Sequence, residues 1–254
     1  MPRFFIRAEQ VSDGTVTVLG EDAHHISRSL RMAAGEHITV CDMQGKEYEC
    51  VLTDFLPDRV LARVLDERQS DTEPSYRVRL FQALPKGDKL DSIIQKAVEC
   101  GAWEIYTFES ERCVVRVKDG AEEKKLERRQ RIAKEAAKQC GRGIVPTVYP
   151  TLSFSEMLAL AKEADVPLFC YEGDGTQALP AAIKAKASAK SGEALTVSIV
   201  IGSEGGFSIG EAQKARDAGL IPVRLGKRIL RTETAASFVL ACLVYELELS
   251  RTQA

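Results

Sequence analysis

The run Ile201-Gly202-Ser203-Glu204-Gly205-Gly206-Phe207-Ser208 constrains this chain more than any other stretch. It follows a β-branched apolar segment over 195–201, which reads as a buried strand. Ser208 and Glu211 have the Ser-x-x-Glu spacing of a capping box, so a helix is expected to begin at Ile209. A strand, a glycine-rich turn and a helix N-terminus in succession form a ligand-binding device. Glycines let the backbone approach a ligand, and free N–H groups point outward. The same pattern also serves as a plain strand-to-helix turn.

A second stretch favours the ligand reading. A short strand is expected over 221–225, followed by Gly226-Lys227-Arg228-Ile229-Leu230-Arg231-Thr232-Glu233-Thr234-Ala235-Ala236 and an apolar helix over 234–249. Two consecutive strand ends of an α/β segment thus carry special loops, and in a parallel sheet both open on the same edge, where ligands bind. The first strand–helix unit has neither Gly-x-Gly-x-x-Gly nor the P-loop pattern, which argues against an ordinary nucleotide-binding protein.

With 254 residues the chain has room for one large or two modest domains. Its net charge of −2 gives no global basic field. Locally, residues 112–142 hold eleven Lys/Arg against five Asp/Glu, which reads either as a solvated helix face or as a phosphate-facing surface. The seven cysteines lack Cys-x-x-Cys spacing, so neither zinc nor a disulfide framework is expected and a reducing cytoplasm is the natural setting. No metal site, signal peptide or membrane span is expected; the apolar run 235–245 is far below the roughly 20 residues a bilayer needs.

In chain order, residues 1–70 read as a small β domain with strands at 15–19, 37–41, 47–55 and 60–65, suggesting a small barrel. One helix is expected over 23–33, capped by Asp22 and stopped at Gly35. It carries His24 and His25, too far apart in angle to chelate one metal, and Arg28 and Arg31 on a shared face. For the histidines the reading is a first-turn cap and a half-buried ring; the arginine pair suits phosphate or solvent. Polar residues 66–75 read as a linker, with the boundary at 71–76 and a second domain over 77–254. From there strands at 77–84, 103–109, 145–149, 167–171, 195–201 and 221–225 alternate with helices, including a charged one over 121–140 and one opened by Ser153 and Glu156. This predicts a parallel sheet covered by helices. Residues 181–194 read as a helix fraying into a loop.

Several motifs now occur in a fixed order: His24-His25 with Leu30-Arg31, Pro85-Lys86-Gly87-Asp88-Lys89, Gln95-Lys96-Ala97 with Glu99 and Gly101, Glu111-Arg112, Glu135-Ala136 with Gln139 and Arg142, Gly202 with Glu204-Gly205-Gly206-Phe207, and Leu225-Gly226 with Arg228-Ile229-Leu230-Arg231 and Glu233-Thr234-Ala235. Together they resemble the RsmE family, bacterial methyltransferases of the SPOUT superfamily that modify N3 of a uridine in 16S ribosomal RNA. The resemblance covers nearly the whole chain. One departure is visible: the family usually has Pro where this chain has Ser203, which frees φ and restores a backbone N–H.

The resemblance implies a PUA-like, RNA-binding N-terminal domain, a SPOUT α/β domain with a deep C-terminal trefoil knot, and a homodimer with active sites near its interface. It implies S-adenosylmethionine held by Ile201, Gly202, Ser203, Glu204, Gly205, Gly206, Leu225, Gly226, Ile229, Leu230, Thr234 and Ala235. Uracil N3 is a poor nucleophile until its proton leaves, so the site needs a base or a cation that stabilises the anion. Arg231 and Arg112 are the candidate cations. Glu204 and Glu233 are candidate bases, or salt-bridge partners of those arginines; Glu233 also suits a helix N-terminus for its own sake. His24, Arg28, Arg31, Lys86 and Arg142 are candidates for RNA contact, the partner being 16S rRNA or the small subunit. Three rival readings are a SPOUT methyltransferase with another RNA target, a ribosome-assembly factor that binds RNA without catalysis, and a phosphate-binding enzyme built on a helix N-terminus.

Overall fold

The computed structural model describes residues 1–117, 120, 122–187 and 194–250. The chain divides into two compact units, the first made of Met1–Glu73 with Ala137–Val145, the second of Pro74–Ala136 with Pro146–Ala254.

In the first unit, alternation of apolar and polar residues builds a six-stranded sheet with order β1-β4-β5-β6-β3-β2. Its strands are β1 (Arg3–Phe5), β2 (Val11–Ser12), β3 (Thr15–Leu19), β4 (His37–Cys41), β5 (Lys46–Phe55) and β6 (Arg59–Gln69). Only β1 and β4 pair in parallel. Val16, Val18, Ile38, Val40, Cys50, Leu52, Val60 and Ala62 are buried with Phe4 and Ile26 in one core. Strand β6 runs on to Gln69, through residues that the sequence reads as linker. Cross-strand ion pairs explain this: Glu47 accepts from Arg68 and, at 2.5 Å, from Arg3, while Lys46 meets Glu67 at 2.6 Å. A strand built from charges shows no apolar alternation.

The expected helix over 23–33 is shorter and begins earlier. Helix α1 spans Gly20–His24 and widens into a π-helical turn, His25–Ser29, closed by the Leu30 N–H donating to the His25 carbonyl at 2.9 Å. Gly20 at φ +60° lets it start directly after β3. Asp22 does not cap it; its half of an ion pair with Lys138, at 3.0 Å, occupies the carboxylate instead. Arg31 lies beyond the helix at φ +53°, so Arg28 and Arg31 do not share a helical face.

The second unit is a seven-stranded sheet, order β11-β13-β10-β12-β7-β8-β9, in which every pairing is parallel. Its elements are β7 (Arg77–Ala83), α2 (Lys89–Glu99), β8 (Ala102–Phe108), α3 (Glu122–Cys140), β9 (Thr147–Leu152), α4 (Phe154–Ala161), β10 (Val166–Cys170), β11 (Gln177–Ala178), α5 (Leu179–Ala187), β12 (Thr196–Ile201), α6 (Ile209–Asp217), β13 (Ile221–Arg224) and α7 (Thr232–Val244), which ends in a π-helical turn, Tyr245–Leu249. From Ala137 onward α3 groups with the first unit. The part of the expected 181–194 segment at 188–193 lies outside the described residues. β12 is buried along almost its whole length, as the near-continuous apolar run of an interior parallel strand requires. From β7 the chain winds outward through β8 and β9, whereas β12, β10 and β13 lie on the other side, so the winding direction changes between β7 and β12. Sheets of this kind bind their ligands at the carboxyl ends of the strands beside such a switch.

Beside that edge sits a buried polar network. Arg129 donates to Glu122 at 2.9 Å and to Thr107 and Thr151 at 3.3 Å; Glu122 also accepts from the Thr151 amide and hydroxyl at 3.1 and 2.6 Å. Burial pushes the Glu122 carboxyl up, but the Thr151 hydrogen bonds and the Arg129 charge outweigh it and hold it below the usual carboxylate range. Arg129→Met is expected to destabilise the protein by about 2–3 kcal/mol near neutral pH, because it strands a carboxylate that is mostly out of water. A group with a depressed folded pKa contributes stability above its unfolded pKa and loses it as pH falls. The gap between parent and variant in urea unfolding should therefore narrow on acidification through the ordinary carboxylate range.

Candidate active site

The loop after β12 is shaped by close approach. A Cβ on Gly202 would lie 3.1 Å from the Phe207 ring and 3.2 Å from the Gly206 Cα; one on Gly205 would lie 3.0 Å from the Arg112 Cβ. Gly206, at φ +62°, donates its N–H to the Ser203 carbonyl at 2.9 Å and closes the turn. Phe207 anchors the loop, with ring centroids 4.3 Å from Phe169 and 6.3 Å from Phe108. The expected capping box is present: Ser208 Oγ accepts the Glu211 N–H at 3.1 Å, and Glu211 accepts the Ser208 N–H at 3.0 Å. Glu211 also accepts the Glu111 N–H at 2.7 Å, and the Ser208 hydroxyl donates to Glu111 at 2.7 Å. The segment after β8 is thereby fastened to the β12 loop, and Arg112 donates to the Gly205 carbonyl at 3.0 Å.

The loop before α7 joins them from beneath. The Thr232 hydroxyl donates to the Gly202 carbonyl at 2.7 Å, and fully buried Gln82, on β7, donates to Thr232 Oγ1 at 2.8 Å and to the Ala83 carbonyl at 2.9 Å. Lys89, in the first turn of α2, completes the assembly. Its ammonium lies 2.8 Å from Glu204 and 3.6 Å from Glu233, the second an ion pair too long to be a hydrogen bond. Glu204 also accepts the Lys86 N–H at 3.1 and 3.3 Å. Burial pushes the Glu204 carboxyl up, yet the Lys89 hydrogen bond and the backbone N–H groups prevail and keep it below the usual range. The Glu204 hydrogen bond and the two carboxylate charges raise Lys89, which stays an ammonium. Three loops from strands that are distant in sequence thus converge at the winding switch.

The sequence-derived residues fall into place unevenly. Ile201, Ser203 and Ala235 are buried; Gly202, Gly206, Leu225 and Leu230 are half-buried; Gly205, Gly226, Ile229 and Thr234 are exposed. Gly226 takes φ +107°, which suits glycine alone. Glu204 and Glu233 do come together, but around Lys89 rather than Arg112 or Arg231. Arg231 caps α7 through its backbone, its carbonyl accepting the Thr234 and Ala235 N–H groups at 2.9 and 2.8 Å. Its guanidinium is exposed and has no partner among the described residues. Lys86 and Arg112 are exposed on the same sheet edge, and His24, Arg28 and Arg31 are exposed on the first unit.

Arg142 is a correction. Its side chain is 4% exposed and committed to Glu73 at 2.5 Å, so it is a structural cation rather than a phosphate contact. Gln82 and Lys89 went unassigned by sequence reasoning. Both had a signal: a polar residue inside an apolar strand run, and a lysine in the first turn of a helix, where the macrodipole disfavours it unless anions are near.

Among the described residues, three buried polar atoms around this point lack a hydrogen-bond partner: Gln82 Oε1, Ser203 Oγ and Glu233 Oε2, the last keeping only its ion pair with Lys89. Together with the close-packed glycine loop they form a cradle whose polar demand the described residues leave unmet, as a site for a polar ligand should.

Residues 72–244 match the RNA methyltransferase domain family and residues 18–65 the RNA methyltransferase PUA domain. The chain is 36% identical to ribosomal RNA small subunit methyltransferase E of Bacillus subtilis over 99% of both chains. It is 32% identical to the protein of that name from Synechocystis, covering 94% of this chain and 76% of the relative. Its fold is similar to the crystal structure of a ribosomal RNA small subunit methyltransferase E from Neisseria gonorrhoeae bound to S-adenosyl methionine, with a TM-score of 0.82 and 33% identity over 97% of this chain and 98% of that one. On the family match and the full-length relatives, the chain belongs to the ribosomal RNA small subunit methyltransferase E family.

Proposed function

We propose that this protein transfers a methyl group from S-adenosylmethionine to N3 of a uridine in 16S rRNA of the small ribosomal subunit. The observation that carries the reading is the convergence of the β7, β12 and α7 loops, tied by Gln82, Thr232 and the Gly202 carbonyl, on a cradle with unmet polar groups. Such a cradle fits a cofactor that has no phosphate, since it presents backbone groups, the neutral Gln82 and Ser203 side chains and the Glu233 carboxylate, and no P-loop lysine. Ile201–Gly206, Leu225, Gly226, Ile229, Leu230, Thr234 and Ala235 would hold it.

When bound, the cofactor supplies an electrophilic methyl on a sulfonium. What the chain contributes is position and charge. Rigid loops hold the reacting atoms in line, which supplies much of the rate. Arg231, with its guanidinium unengaged, stabilises the negative charge on the uracil oxygens as the N3 proton leaves, and Arg112 and Lys86 hold neighbouring phosphate. Glu204, held ionised by Lys89 and backbone N–H groups, is a weak base; Glu233, in the first turn of α7, is the other candidate proton acceptor.

The first unit is the PUA-like RNA-binding part, with His24, Arg28 and Arg31 on its exposed turn. The insertion of β12 between β7 and β10 accords with a C-terminal trefoil knot, and exposed Phe238, Tyr245 and Leu249 at the C-terminal helix suit a homodimer. The cytoplasm is the site of action that the substrate demands.

The test is transfer of labelled methyl to unmodified small subunits, followed by nucleoside analysis. Label in 3-methyluridine is the expected result. Label in another nucleoside would move the target, and RNA binding without label would favour an assembly factor.

A further inference from the structure

Glu204, Lys89 and Glu233 place two carboxylates and one ammonium within 3.6 Å contacts, a set that carries one uncompensated negative charge. The set is not freely solvated: the side chains are 28%, 32% and 24% exposed, and one Glu233 oxygen is buried without a hydrogen bond among the described residues. Both carboxylates belong to the loops proposed to hold the cofactor, Glu204 inside the glycine loop and Glu233 in the first turn of α7. The surrounding cations Lys86, Arg112 and Arg231 are exposed to water and its ions, as Glu204 is, whereas Glu233 and Lys89 are half-buried, so the Glu233 charge is screened less. The two forms of the cofactor differ by one charge: the methyl donor is a sulfonium cation and the demethylated product a neutral thioether.

Resting on the S-adenosylmethionine reading, we infer that the Glu204–Lys89–Glu233 set is the specificity element that favours the charged donor over its neutral product. Coulomb attraction to one net charge acts on the sulfonium and not on the thioether, so it changes the ratio of the two affinities rather than both together. The set thereby lets fresh donor out-compete spent product for the same site. Lys89 moderates the preference: with the ammonium in place one charge remains; without it there would be two.

The experiment is calorimetric titration of the full-length protein with S-adenosylmethionine and, separately, S-adenosylhomocysteine. Parent, Glu233→Gln, Glu204→Gln and Lys89→Met proteins are compared at low and high salt. The ratio of product Kd to donor Kd is expected to fall about threefold or more in each glutamine variant and to rise in Lys89→Met, with both shifts shrinking in salt. A purely structural role would weaken both ligands in parallel and leave the ratio unchanged, and that result, or shifts of the same sign in all variants, overturns the inference. If the parent binds S-adenosylhomocysteine and S-adenosylmethionine equally, the set has no such role. If the parent binds neither, the cofactor reading itself fails.

Discussion

Gly202→Val is expected to weaken S-adenosylmethionine binding at least about a hundredfold, a loss of about 2.7 kcal/mol. Even a bare Cβ at this position meets the Phe207 ring at 3.1 Å and the Gly206 backbone at 3.2 and 3.3 Å. Phe207 cannot retreat, because it is 4% exposed and packed among Phe108, Phe154 and Phe169. The strain must therefore go into the loop, which moves the turn closed by Gly206 and the carbonyl that Thr232 holds. Gly210→Ala is the control: its added carbon meets only Ser208 Oγ, at 3.8 Å, inside α6. Calorimetry alongside thermal unfolding checks both. A folded Gly202→Val protein with the parent's affinity would remove this loop from the cofactor site.

Arg231→Ala should lower the single-turnover rate on small subunits at least tenfold, about 1.4 kcal/mol in the barrier, with S-adenosylmethionine affinity and melting temperature unchanged. The separation of effects follows from how the residue is held. Its backbone caps α7, which alanine preserves, and its guanidinium makes no contact among the described residues that the fold would lose. Arg231→Lys should fall between, since lysine keeps the charge and loses the planar fork. Turnover equal to the parent's would exclude Arg231 from the reaction.

The parallel sheet was legible because interior strands such as β12 announce themselves as unbroken apolar runs, and the two Ser-x-x-Glu boxes at Ser153 and Ser208 set helix starts to the residue. The glycine loop was legible for a related reason: only close approach and positive φ demand glycine so densely. What stayed hidden depends on partners far along the chain. Asp22 has the chemistry of an N-cap, but its carboxylate goes to Lys138; Arg142 has that of a phosphate ligand, but it neutralises Glu73. Local patterns report a side chain's capacity, while its occupation is decided by the topology that brings a rival partner near. Lys89 shows the same limit in the site itself, since its two carboxylates lie more than a hundred residues downstream.

The composition of the first unit has a temporal side. Asp22 and Glu73 are 11% and 19% exposed, and the cations that neutralise them arrive 116 and 69 residues later in the chain. On the ribosome, residues 1–73 are made before the counter-ions of two of their carboxylates exist, and the unit has all its parts only when 137–145 has been made. What is first to be synthesised is therefore not first to be finished. A fragment ending at Glu73 would reproduce that waiting state rather than a self-sufficient domain, and the intervening 74–136 is, in order of birth, an insertion into the first unit.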